Sequence, residues 1–554
     1  MNSLFGKWAS TLRKNWLLLL LSTVLPTFGL SYSALTAQRI YASYSTLERS
    51  VSVTALENFA KNGVVDEELA VYTQFLKPGQ LQELRRTLLS PIKVDPVAVS
   101  QFLYTPQGEF LLRRLTEVIR TESRQPEAGF HALRAALILA AKEPEGLTLL
   151  NLVRKYPNSS IHIDLTRTLG IAAELQKMVN ETNRAVAAVF QKSITETATI
   201  PASLNLSQLP DLRRQGRFVA KKMQLKYFDG APGRGRLLLT DIYLPNTRTK
   251  VPVIVISHGL GTDSSNFQYL ANYLASYGLA VVVPNHPGSD SKQLRSLLNG
   301  SASEIAQPEE FYNRPLDVKY ILNQLEADSR LKNRLNLQQV GVFGQSLGGY
   351  TALALAGAKI NFEQLNKDCN QQALKQNWNM SLLLQCRAVD LYGKDYNLRD
   401  ERVKAVIAVN PITSSIFGET GLSKIKTPVM IVAGTDDTIA PALYEQIQPF
   451  SWINNSQKYL VLMAGGTHFS VIGETKNRQN QVALPSDLVG DNPTLARRYI
   501  NTLSLPFLAT YVGRMSKYSP YLNAAYARSI SSQTMGLSLI QSLTPTELAR
   551  ATAK

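Results

Sequence analysis

A chain of 554 residues with 44% hydrophobic and 18% charged side chains has ample apolar material, and its length exceeds what one core usually organises, so two domains are expected. That balance excludes a predominantly disordered chain. The formal charge of +17 suits contact with an anionic membrane surface, or is simply basicity spread over the exterior. With no long basic run, zinc-ligand spacing or nucleic-acid motif beside it, a nucleic-acid partner is not expected, and nothing fixes the oligomeric state.

The N-terminus reads as a targeting segment. Lys7, Arg13 and Lys14 precede an apolar stretch from Trp16 to Leu30, and the next charge is Arg39. A basic region followed by a hydrophobic one is the pattern of an export signal. Ser31, Ser33, Ala34 and Ala37 are small enough for cleavage but form no clean A-x-A. Residues 1–37 are therefore expected to be a cleaved signal peptide or a retained membrane anchor, and either exports the remainder to a periplasm, a lumen or the exterior.

From 38 to 195 apolar residues recur at helical spacing, which predicts an all-helical domain. Thr54 with Glu57 reads as a capping box, Gly63 as a helix C-terminal glycine and Asp95–Pro96 as a further start; Leu81, Leu84 and Leu88 form one stripe. His131 and His162 lie in this half without ligand-spaced neighbours, so they are read as ordinary packed or surface residues. Residues 196–215, small, polar and broken by Pro201 and Pro210, read as a linker.

Across 216–554 the period changes to that of short β-rich runs alternating with helices. Met223 to Tyr227 and Arg236 to Leu244 read as a hairpin. Val253 to Ser257, Leu279 to Pro284, Gln339 to Phe343, Val403 to Val409, Pro428 to Ala433 and Tyr459 to Met463 follow as buried strands. Their almost continuous apolar character predicts a mostly parallel sheet with helices on both faces, a doubly wound α/β domain. The only cysteines, Cys369 and Cys386, fall in an insert at 359–402. They are expected either to bridge, as an oxidising compartment permits, or to stand as two separate thiols. The insert itself is expected to form part of a lid or an irregular surface excursion.

The chemistry is carried by strand ends. Gly344, Ser346 and Gly348 form G-x-S-x-G between a strand and an Ala-rich helix, the setting in which a tight turn exposes a serine nucleophile. The backbone N–H of Leu347 then points towards a developing oxyanion, and the loop VIVISHGLGTDSSN offers a second donor at the N–H of Leu260. A serine hydroxyl needs a base, and the base a carboxylate to hold its tautomer. PVMIVAGTDDTIAP supplies Asp437 at a late strand end, with Asp436 as competitor, and VLMAGGTHFS supplies His468 one helix and one strand later. His258 is read as bracing the loop, and His286 as structural or lining the pocket. This chemistry calls for no metal or organic cofactor.

With these segments placed, the C-terminal half resembles the α/β-hydrolase branch of lipases and esterases that contains platelet-activating-factor acetylhydrolases and dienelactone-hydrolase-like enzymes. SHGLG (257–261), RPLDVKYILNQL (314–325) and GQSLGG (344–349) carry the likeness. The resemblance implies a serine esterase or lipase that hydrolyses a carboxylic ester, lipid-derived or otherwise apolar, through an acyl-enzyme. One departure stands out: where the acetylhydrolases carry their acid, this chain has Asn410, which moves the acid one strand later, to Asp437. The N-terminal half, in AQRIYASYSTLERSVSV, VAVSQFLYTPQGEFLLRRL and ALRAALILAAKEPEGLTLLNL, looks like the helical domain of unknown function that precedes the hydrolase in exported cyanobacterial proteins. That likeness implies the pairing but no activity. A non-catalytic binding or assembly protein on the same scaffold is the competing reading.

Overall fold

A computed structural model describes residues 36–74, 77–92, 94–200, 206–394, 396–474, 490 and 492–553. The expected leader therefore lies almost wholly outside the described residues. Its last residue, Ala37, is buried and donates its N–H to the carbonyl of Tyr156. Among the described residues no helix is long and apolar enough to cross a membrane. The chain divides into two compact units, one of 1–176 with 295–304, the other of 177–294 with 305–554.

The first unit is not all-helical. Among the described residues seven short helices, α1 (Val53–Asn62), α2 (Glu67–Thr73), α3 (Pro78–Leu89), α4 (Pro96–Phe102), α5 (Pro106–Thr116), α6 (Pro126–Ala141) and α7 (Leu149–Arg154), accompany a four-stranded sheet. Its strands are β1 (Arg39–Tyr44), β2 (Leu47–Ser52), β3 (Ile119–Arg120) and β4 (Ser160–Asp164), in the order β2-β1-β4-β3. The expectation failed because strands of six residues or fewer leave little periodicity, and β1 pairs with β4 from the far end of the unit. The β1–β2 turn also lacks the Asn-Gly signal: Ser45 itself takes the positive φ, 54°. The first helix is capped by Ser52, whose side chain accepts from Ala55 N–H, rather than by Thr54. Gly63 ends it at φ 76°, and Asp95 caps α4 as its sequence suggests.

Helix α8 (Leu165–Ala198) runs through the division between the units, which falls at 176/177 rather than in 196–215. Its second half belongs to the second unit: Ala185 and Val189 are fully buried in that unit's core. Lys192 pairs with Glu547, and Ser193 Oγ accepts from Leu539 N–H. The stretch read as a linker is pinned as well, Tyr273 and Tyr521 donating their hydroxyls to the carbonyls of Leu212 and Pro210.

Among the described residues the second unit is built on nine strands, β5 (Ala220–Asp229), β6 (Arg236–Pro245), β7 (Val251–Ser257), β8 (Ala280–Pro284), β9 (Leu335–Gln345), β10 (Val403–Val409), β11 (Val429–Gly434), β12 (Lys458–Met463) and β13 (Leu537–Ile540). Their order is β13-β12-β11-β10-β9-β7-β8-β6-β5. The antiparallel pairs are β5–β6, β6–β8 and β12–β13; the consecutive pairs from β8 through β7, β9, β10 and β11 to β12 are parallel. Val- and Ile-rich strands bury both faces, one under a cluster with Val253, Val342 and Leu353, the other under Ile254, Phe343 and Phe507. Helices α9 (Gln268–Ser276), α10 (Ser291–Leu298), α11 (Glu310–Ala327) and α12 (Leu347–Leu355) connect the strands that carry the site. All parallel strands end on one side, so the loops after β7, β9, β10, β11 and β12 converge there.

Candidate active site

The serine sits where backbone geometry is forced. Ser346, between β9 and α12, adopts φ 55° and ψ −118°, a conformation that costs a non-glycine residue roughly 1–3 kcal/mol. Glycines make the turn possible. A Cβ on Gly344 would lie 1.9 Å from the carbonyl oxygen of Gly348, and one on Gly348 would lie 2.0 Å from that of Ser257. The Ser346 N–H donates to Val409 O at 2.9 Å, tying the turn to the end of β10.

The structure brings three of the expected side chains into one hydrogen-bonded line. His468 Nε2 lies 2.9 Å from Ser346 Oγ, and His468 Nδ1 lies 2.7 Å from Asp437 Oδ2. All three residues are buried. Asp437 is immobilised by its other oxygen, Oδ1, which accepts from the N–H groups of Ile439 at 2.9 Å and Ala440 at 2.7 Å. With the carboxylate accepting at Nδ1, the imidazole carries its proton there and leaves Nε2 to accept from the serine hydroxyl. Asp436, the competing acid, instead accepts from Thr435 Oγ1. The acid and base loops touch at two more glycines: a Cβ on Gly434 would meet the Gly466 carbonyl oxygen at 2.3 Å.

Two amides missed as site residues from sequence hold the base from behind. Gln345 Nε2 donates to the carbonyl of His468 at 3.1 Å, and Asn410 Nδ2 donates to the carbonyls of Thr467 and His468 at 3.1 and 3.3 Å. Asn410 Oδ1 also accepts from Gly434 N–H at 3.0 Å. The position where a carboxylate was looked for thus carries an amide that spans the acid and base loops. No local pattern announces either amide, since both act through loops remote in sequence.

The Leu260 loop lies against the serine turn. Ser257 pairs with Gly344 across β7 and β9, and a Cβ on Gly259 would meet Gln345 Oε1 at 2.2 Å. As first residue of α12, Leu347 has no acceptor one turn earlier in its own helix. His258 and His286 do not reach the serine. His258 Nδ1–H donates to Gly259 O at 2.7 Å while Nε2 accepts from His286 N–H at 3.0 Å. His286 Nδ1–H donates to Asp317 Oδ2 at 3.0 Å, and Nε2 accepts from Ser257 Oγ–H at 3.0 Å. Burial, reinforced by the Arg314 charge, holds both imidazoles well below the usual histidine range, so they are neutral.

Behind them lies a cluster of buried charge. Arg236 bridges Glu310 and Asp317, Arg234 joins Asp317 and Asp229, and Arg314 donates to backbone carbonyls. Glu310, Arg314 and Asp317 share one face of α11, the face that elsewhere carries Phe311, Val318 and Ile321 into the core. Three charges on a core stripe are the signal that could have revealed the cluster. Pro315 deprives Phe311 O of its helical donor, and Tyr350 Oη of α12 supplies one at 2.9 Å.

The insert at 359–402 forms short helices closed by a Cys369–Cys386 disulfide with a Cα–Cα distance of 5.4 Å. Buried Glu445 anchors it, accepting from Asn379 and Gln385 of the insert and from the N–H groups of Thr413 and Ser414 after β10. Among the described residues no group of three or more His, Cys, Asp or Glu is placed to hold a metal ion.

A family model described as an alpha/beta hydrolase of unknown function (DUF1400) matches residues 36–164, and one described as alpha/beta hydrolase fold matches 252–365. The first covers the unit with the small sheet. The second runs from β7 through the Leu260 loop and Ser346, and stops before Asp437 and His468. No curated protein matches the chain. The chain therefore carries a domain of the α/β-hydrolase fold, preceded by a region similar to the DUF1400 model.

Proposed function

We propose that the protein is a serine hydrolase of carboxylic esters that works through an acyl-enzyme. The observation that supports this reading most is the unbroken relay from Asp437 through His468 to Ser346 at 2.7 and 2.9 Å. In this reading His468 takes the hydroxyl proton as Ser346 Oγ attacks the ester carbonyl, and Asp437 stabilises the resulting imidazolium. The tetrahedral oxyanion is received by the N–H groups of Leu260 and Leu347. His468 then passes its proton to the departing alkoxide, and a water activated by the same imidazole releases the acid and restores the serine.

A lipid-derived or otherwise apolar ester is the preferred substrate class. The acetylhydrolase-like SHGLG and RPLDVKYILNQL segments, the apolar leader sequence and the net charge of +17 favour it, together with an exported location in contact with a membrane surface. The insert at 359–402 would select the acyl chain as part of a lid. A fluorophosphonate probe tests the core of this reading. Wild type should label and Ser346→Ala should not; a folded wild type that neither labels nor hydrolyses esters of any chain length refutes it in favour of a binding scaffold.

A further inference from the structure

Leu260 is bracketed by groups that all lead to one side chain. Arg314, fully buried on α11, donates from Nη1 to His258 O at 2.6 Å and from Nη2 to Gly259 O at 3.4 Å. The same Nη2 reaches Ser289 O at 3.3 Å, and Nε donates to Ser289 Oγ at 2.9 Å. Ser289 O in turn accepts from the N–H of Gly261 at 2.9 Å. The peptide before Leu260 is thus held at its oxygen by the guanidinium, and the peptide after it at its nitrogen by a carbonyl that the guanidinium also holds.

A planar trans peptide points its N–H opposite to its C=O. Gly259 O and Leu260 N–H belong to one peptide, so fixing the oxygen aims the donor. Thr262 Oγ1 and His258 Nδ1 converge on the same oxygen at 3.0 and 2.7 Å, but both belong to the loop and move with it. Arg314 alone among these donors comes from a helix. That helix is fastened to the nucleophile helix through Tyr350 and Phe311 O, so loop and serine share one frame. A planar fork serves the loop after β7 and the loop after β8 with donors at fixed angles, a preorganisation that an ammonium on a flexible stem lacks. Burial brings the guanidinium down only to about 10, so it stays charged at neutral pH and polarises the peptide it binds.

We propose that Arg314 is a positioning residue for the oxyanion hole, orienting the Leu260 N–H by clamping the His258, Gly259 and Ser289 carbonyls. This rests on the reading of Leu260 as an oxyanion donor in a serine esterase. The test compares wild type, R314Q, R314K and S289A on a short p-nitrophenyl ester, with an alkyl trifluoromethyl ketone as a probe whose adduct carries the oxyanion.

Loss of one oxyanion donor costs about 10²–10³ in kcat, so a misaimed donor in R314Q should cost about 10–100-fold. KM should stay within about twofold, and the ketone should weaken by the same factor as kcat. R314K, which keeps the charge and one carbonyl contact, should recover part of the loss. Thermal melting identifies variants that do not fold; should both Arg314 variants fail, S289A must show the same parallel loss in smaller measure. A folded variant with wild-type kcat and ketone affinity overturns the proposal, as does a loss of kcat with ketone affinity unchanged. A wild type that hydrolyses no ester and is not labelled at Ser346 refutes the esterase reading instead, before any variant is compared.

Discussion

Replacing Asp437 by asparagine changes one atom and should nearly abolish turnover, for a reason visible in its hydrogen bonds. Oδ1 is held by two backbone N–H groups, from Ile439 and Ala440, and only an oxygen can accept them. The amide therefore cannot turn over: its NH₂ must occupy the position of Oδ2 and face His468 Nδ1 at about the present 2.7 Å. Two donors cannot share that contact, so the imidazole is driven to the tautomer protonated on Nε2, which offers Ser346 Oγ a donor where it needs an acceptor. The loss expected for this tautomer error is about 10⁴-fold in kcat, or about 5 kcal/mol of transition-state stabilisation. The measurement is kcat and KM on a short p-nitrophenyl ester, normalised by titration of the active serine, with D436N as the neighbouring control. His468 Nδ1 is met by Asp437 while Asp436 accepts from Thr435 Oγ1, so D436N should stay within about threefold. A folded D437N within tenfold of wild type, or an equal loss in D436N, would refute the assignment of the acid.

Two further outcomes follow from groups outside the relay. The disulfide closes a loop of sequence separation 17, so C369S/C386S should lose up to about 3 kcal/mol of stability in urea while turnover on a short ester changes little. A large loss of short-ester activity at unchanged stability would contradict that. His258 and His286 are buried neutral, with folded pKa values depressed below those of the unfolded chain. Below about pH 6.5 the unfolded chain binds protons that the native state does not, so stability is intact above that pH and falls as pH drops. The slope approaches about 1.4 kcal/mol per pH unit for each imidazole. Urea midpoints that stay flat from pH 7 to pH 5 would show that these rings are not excluded from protonation.

Much of the site is legible in the sequence because its parts are local. Strands buried on both faces announce themselves as apolar runs, and the chemistry sits in glycine-flanked strand ends. Gly344, Gly348 and Gly434 are where backbones approach within distances that a Cβ could not occupy. Each motif is therefore readable by itself, and chain order supplies their pairing. What was illegible depends on distant partners. The β1–β4 pair joins segments at opposite ends of the first unit. Glu310, Arg314 and Asp317 stand as unexplained charges on the core stripe of their helix until Arg234, Arg236 and Ser289 are known to meet them. In sequence Asn410 stands only as a missing carboxylate; its work on the carbonyls of Thr467 and His468 needs the folded loops.

The second half of α8 has a consequence for how the chain matures. Arg184 donates to Thr552 O and Ser193 accepts from Leu539, contacts spanning 368 and 346 positions. A ribosome therefore releases this half-helix long before the strand and helix that cover it exist. Until β13 arrives, β12 has an unpaired edge beside an unclothed apolar surface, a combination prone to sticking to other chains. Closure of the hydrolase unit is in this sense a late event, and truncations short of residue 537 should yield aggregates rather than a smaller enzyme.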